Sequence, residues 1–165
     1  MSSRLKLLLL ILVLGAPMPV AWAMLHWQIG LPDKHVARGE LSPALPPLAQ
    51  WPIEWQESDD WWLVWAASDI CEERCQAEAD KWWRMHRALG RNAERVYRLR
   101  LGGDQDALPG ERQLSWLTER PEWVADAQVW LVDPQGNIVT RYAPYVDAKD
   151  VHKDLEHLLK RNPVR

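Results

Sequence analysis

The sequence predicts an α/β domain carried behind one N-terminal transmembrane helix. Three observations lead there: a long uncharged apolar run near the start, an alternation of strand-like and helix-like periods after it, and a cysteine pair at the first strand-to-helix junction.

Arg4 and Lys6 precede a stretch from Leu7 to Pro32 that contains no Asp, Glu, Lys or Arg. Its core, Leu7 to Trp27, matches the ~20 apolar residues needed to cross ~30 Å of hydrocarbon. The cationic flank places the N-terminus in the cytoplasm and the later chain in the periplasm, as a single-pass inner-membrane protein. Trp22 and Trp27 suit the outer interface. A cleaved leader is the competing reading, since Leu7–Ala16 serves as an h-region and Ala21-Trp22-Ala23 has the small-x-small form. A retained anchor is expected because the apolar character runs on through Met24, Leu25, Trp27 and Ile29. A span tolerates the kinks of Pro17 and Pro19. Residues 1–30 thus read as a membrane anchor or signal peptide, and either puts the domain outside the cytoplasm.

Residues 31–52 read as a Pro-rich linker. Pro43, Pro46, Pro47 and Pro52, with Gly39 and Ser42, leave no clear period.

Residues 53–162 are the expected domain. Trp61 to Ala67 is a continuous apolar run, as a strand buried on both faces requires. From Cys71 to Leu89 the residues Cys75, Ala79, Trp82, Trp83, His86 and Leu89 keep a helical stripe, which Gly90 stops. Arg95 to Leu101 alternates as a second strand, ended by Gly102 and Gly103. Glu111 to Glu119 suggests a short helix closed by Pro121. Gln128 to Val132 and Ile138 to Tyr142 flank the turn Asp133-Pro134-Gln135-Gly136-Asn137 and form a hairpin. Asp147 caps a last helix with the stripe Val151, Leu155, Leu158 and Leu159. A βαβ unit followed by ββα is the thioredoxin arrangement.

The chain has two cysteines in all, Cys71 and Cys75, in the order Cys-Glu-Glu-Arg-Cys. Residues four apart share a helix face, so the sulfurs can meet. Three chemistries are open for the pair. It can exchange with another dithiol as the catalytic element of an oxidoreductase. It can hold Cu(I), a soft ion that prefers thiolates. It can also be a structural disulfide in a non-catalytic interaction module. A short loop gives such a bridge little entropic value, below the ~3 kcal/mol that chain entropy assigns to a 15-residue loop. Cys71, nearer the helix start, is expected to be the more exposed, attacking thiol, and Cys75 the resolving one.

The anchor, the Pro-rich stretch, WWLVWAASDICEERC and VWLVDPQGNIVTRY together resemble the Sco family, over most of residues 5–160. These are membrane-anchored thioredoxin-like proteins of cytochrome c oxidase assembly. The resemblance implies a role in oxidase assembly, with copper or thiol chemistry at Cys71 and Cys75, and with respiratory oxidase subunits or copper chaperones as partners. That family carries a His just before the late strand as a further copper ligand. The matching stretch here, Glu122 to Ala127, has none, and an ungapped count lands on Ala125.

Other histidines do not replace it. His86 lies eleven residues past Cys75, roughly 16 Å along a helix at ~1.5 Å per residue. His152 and His157 are five apart, which is not the i, i+4 ligand spacing. His26 sits at the expected membrane interface and His35 in the linker. Ser68, three residues before Cys71, suits a peroxidase, but Val64 stands where such enzymes place Pro. Asp59, Asp60 and the carboxylates of residues 103–111 read as solvated turns. The net charge of −3 gives no basic patch, which argues against nucleic acid. There are 12 Trp and no Phe. Indole therefore fills much of the core: packing is the first expectation for the cluster Trp51, Trp55, Trp61, Trp62, Trp65, Trp82 and Trp83, and a protein- or membrane-facing patch on part of it is the alternative to test.

Overall fold

The computed structural model describes residues 3–27, 37–56 and 58–162. Two compact units, 1–35 and 36–165, make up the chain. The first contains helix α1 (Ser3–Gly15) and helix α2 (Pro17–Trp27). Proline lacks the N–H that would continue the first helix, but it is favoured at the first position of a new one, which accounts for the break. The continuous helix expected here is thus divided. Among the described residues no helix is long and apolar enough to cross a membrane. Leu10, Val13, Leu14, Met18 and Trp22 are all exposed.

The second unit is a six-stranded mixed sheet with two helices on one face. Its elements are β1 (Glu40–Leu41), β2 (Trp61–Ala66), α3 (Glu73–Ala88), β3 (Val96–Leu101), β4 (Glu111–Leu114), β5 (Val129–Val132), β6 (Ile138–Tyr142) and α4 (Ala148–Arg161). The strand order is β1-β6-β5-β2-β3-β4. Strand β2 is parallel to β3 and antiparallel to β5, which is the expected βαβ unit followed by a hairpin. Every residue of β2 is buried, as its unbroken apolar run requires. The β5–β6 turn is held by Asp133 Oδ1, which accepts from the amides of Gln135 at 2.9 Å and Asn137 at 2.8 Å. Gly136 supplies the positive φ of 81° that this turn needs. Asp147 caps α4 by accepting from the Lys149 amide at 2.9 Å.

Two expectations fail. The short helix over Glu111 to Glu119 is a strand at its start, since Glu111–Leu114 is β4, parallel to β3. The outer edge of β3 needs main-chain partners. Glu111 also brings its carboxylate beside Arg98 and Arg100, which are each 1 % exposed. Local spacing does not register either demand.

The second failure is the linker. Residues 40–53 are part of the domain. Glu40 and Leu41 pair with β6. Leu48, Trp51 and Ile53 are buried on the sheet face that carries no α-helix, among Trp62, Val64, Leu99, Trp130 and Ile138. A strand buried on both faces needs cover on both sides, and this apolar stretch supplies the second. The Trp51 ring meets Trp130 edge-on at 5.1 Å between centroids, and its indole N–H donates to the Pro46 carbonyl at 2.9 Å. The prolines therefore shape a close-fitting strap, not a spacer.

The tryptophans are likewise mostly internal. Trp51, Trp61, Trp62, Trp65 and Trp82 are buried, and Trp55 and Trp83 are partly so. Core packing, the first expectation for this cluster, accounts for most of it, divided between the two faces of the sheet.

Candidate functional site

The apolar run of β2 ends at Ala67, and the chain turns through Ser68–Ile70 before α3 begins. The turn is closed locally, with Ser68 Oγ donating to the Ile70 carbonyl at 2.8 Å. Glu72 is the N-cap and Glu73 the first helical residue. Cys71 thus precedes the helix, and Cys75 sits in its first turn. The two are joined by a disulfide, with Cα atoms 5.1 Å apart.

The surroundings of the two sulfurs differ. The Cys71 amide donates to Asp104 Oδ1 at 2.7 Å, and its carbonyl accepts from Gln76 Nε2 at 3.3 Å. Gly103 passes close to Ala67 and beside Cys71: a Cβ built there would stand 3.1 Å from Ala67 Cβ and 3.9 Å from Cys71 Cβ, at a φ of +79°. The loop after β3 therefore closes on Cys71, and only glycine fits the crossing. Cys75 instead lines a cleft of about 220 Å³, with Ser68, Glu72, Arg74, Glu78 and Tyr145 among its walls. The expectation that Cys71 is the more exposed of the two is not met: both residues are buried, Cys71 at 2 % exposure and Cys75 at 8 %.

The cleft rim is charged and strained. The Arg74 guanidinium lies 3.8 Å above the Tyr145 ring. Arg120 pairs with Asp126 at 2.6 Å. Glu78 is buried, and Lys81 Nζ donates to its Oε1 at 2.8 Å. Ala127 and Tyr145 both hold positive φ without being glycine, at 58° and 60°. They are tied together by the Tyr145 amide, which donates to the Ala127 carbonyl at 3.3 Å. Such left-handed residues persist where the surroundings fix them, and they cluster at functional sites.

Behind the loop lies a buried charge cluster. Trp65 Nε1 donates to Glu111 Oε1 at 2.9 Å, and Arg98 and Arg100 approach the same carboxylate at 3.9 and 4.0 Å. Arg98 also donates to the Pro109 carbonyl and Arg100 to that of Gln105, which pins the loop. Burial pulls the Arg98 guanidinium below its ordinary range, against the opposing pull of Glu111.

Of the residues singled out from sequence, the structure brings Cys71 and Cys75 together. His86 is spent elsewhere, its Nε2 lying 3.0 and 2.7 Å from the carbonyls of Ala93 and Val96. His152 faces Glu156 at 3.8 Å, His26 stacks on Trp22, and His35 lies outside the described residues. Where the resemblance would place a third copper ligand, Ala125 donates its amide to Gln128, and Asp126 and Ala127 line the cleft. Among the described residues, no three His, Cys, Asp or Glu side chains are grouped to hold a metal ion. Of the carboxylates expected in solvated turns, Asp104 is exposed in a bend as expected and also holds the Cys71 amide, whereas the Glu111 side chain is buried in a strand. The Gly102-Gly103-Asp104 sequence directly after a strand is the available signal for such a loop.

Residues 61–162 match the family described as "transmembrane-like, thioredoxin-like, C-terminal domain". No curated protein matches the chain. Among solved structures, yeast Sco1 with copper bound is 16% identical, at a TM-score of 0.50, over 62% of this chain and 80% of that one. Arabidopsis thaliana ScoI with copper bound is 14% identical, at a TM-score of 0.49, over 63% and 86%. At such identities the likeness to yeast Sco1 shows the thioredoxin-like fold alone.

Proposed function

The chain belongs to the transmembrane-like, thioredoxin-like family, and from that premise we propose that it is a membrane-anchored thiol–disulfide exchange protein of the periplasm. It acts there in respiratory oxidase assembly. The observation that carries the reading is the disulfide of residues 71 and 75 at the β2–α3 junction, with Cys75 lining a cleft. A bridge across so short a loop adds little stability, so a structural role does not account for it. The uncovered apolar side chains of α1 and α2 support the anchor. The oxidase setting rests on the sequence resemblance.

A second reading is copper handling, favoured by the soft donors that two reduced cysteines would supply. The fit is partial, since this chain places two sulfurs and, among the described residues, no third donor beside them. No step is therefore routed through copper. Cysteines joined to each other must first be reduced, so thiol exchange precedes copper in either reading.

The test is the double substitution Cys71→Ser with Cys75→Ser in the native host. Loss of oxidase activity, with a pair that cycles between thiol and disulfide in vivo, supports the proposal. Unchanged oxidase activity and copper content would sink it and leave an interaction module. Anaerobic Cu(I) titration of the reduced protein decides the second reading, and absence of tight binding removes it.

A further inference from the structure

We infer that Cys75, the second cysteine of the pair, is the sulfur that meets the partner thiol, and that Cys71 is the buried resolving sulfur. This rests on the exchange reading above and assigns its order.

Access decides reactivity in thiol exchange as much as thiolate character does. Cys71 is closed in by main chain. Its amide is held by Asp104, its carbonyl by Gln76, and the glycine crossing at Gly103 runs beside it. It does not line the cleft. Cys75 does, and the opening is bounded by the Arg74–Tyr145 stack and by Ser68 and Glu72. Ile70 also lines it and is 69 % exposed, offering an incoming chain an apolar contact beside the sulfur.

The order of steps follows. One thiol of a partner dithiol gives up its proton and attacks Cys75 Sγ. The Cys71–Cys75 bond breaks, and its electron pair leaves on Cys71 Sγ, which takes up that proton. The partner's second thiol then loses its proton and attacks the partner sulfur of the mixed disulfide. This expels Cys75 Sγ, which takes up the second proton. The partner dithiol is oxidised to a disulfide by two electrons, and the chain's disulfide is reduced to two thiols. Run in reverse, the Cys75 thiolate makes the first attack on a partner disulfide, and Cys71 resolves the intermediate.

The full chain is tested in two ways. In Cys71→Ser the remaining Cys75 should be alkylated by iodoacetamide at least about tenfold faster than Cys71 is in Cys75→Ser. Equal rates, or a faster Cys71, would overturn the assignment. The second arm uses the unsubstituted disulfide. Glutathione is added in limiting amount, the reaction is quenched in acid, and the mixed disulfide is mapped. Arg74 lies between the cysteines, so trypsin places them on separate peptides. Glutathione on the Cys75 peptide supports the order, and glutathione on the Cys71 peptide overturns it. Glutathione on neither counts against the exchange reading, and the alkylation rates still decide which sulfur is open.

Discussion

The amide of Cys71 donates to the carboxylate of Asp104 at 2.7 Å, joining residues 33 apart in sequence. The contact makes the loop after β3 a wall of the disulfide site. Replacing Asp104 by Ala should cost about 0.5–1.5 kcal/mol of stability, the ordinary worth of one hydrogen bond. More tellingly, in a Cys75→Ser background it should speed alkylation of Cys71. An unchanged rate would mean that Gly103 alone closes the site.

Glu111 is the carboxylate between two buried arginines. Glu111→Gln leaves both guanidinium groups without a counter-charge and should cost about 3–5 kcal/mol. Urea denaturation followed by tryptophan fluorescence measures it, since Trp65 donates to the same side chain. A loss below about 1 kcal/mol would show that the loop carbonyls suffice to hold the arginines.

Trp51 covers the helix-free face of the sheet. Trp51→Ala should destabilise the domain by about 3–5 kcal/mol, as for other buried aromatics. If residues 40–53 were a spacer, the change would be neutral.

Tyr142 gives the alkaline limit. Its hydroxyl donates to Asp154 Oδ2 at 2.9 Å. Burial, then the charge and hydrogen bond of Asp154, raise its ionisation above the ordinary 10.0. The folded state therefore keeps a proton that the unfolded state loses. This contribution is intact below pH 10.0 and is lost as pH rises above it, at up to about 1.4 kcal/mol per pH unit. Tyr142→Phe should flatten the fall in stability between pH 10.0 and the onset of general alkaline unfolding. An unchanged slope would assign that fall to other groups.

The strands of the sheet's centre, both long helices of the domain and the β5–β6 turn are legible in the sequence because each is set by local period or turn chemistry. The disulfide pair is legible for the same reason: four residues in a helical context bring two sulfurs together. What is not legible depends on distant chain. Leu48, Trp51 and Ile53 lie among prolines and show no period, because their burial is set by sheet residues distant in sequence. Glu111 looks like helix because nothing near it says that Arg98 and Arg100 face inward. The order of exposure escapes the sequence for a related reason. Position near a helix start favours Cys71, but the loop that shuts it off comes from beyond β3.

The strap over the helix-free face also sets a timetable. A chain is made N-terminal end first. Leu48, Trp51 and Ile53 are therefore synthesised long before Trp130 and Ile138, the sheet residues they lie against. Until then the strap has nothing to cover, and its apolar side chains remain available to a chaperone. The disulfide has no such wait, because its two halves are 4 residues apart and can join as soon as both meet an oxidant. The bridge can thus be complete before the sheet that will shelter Cys71.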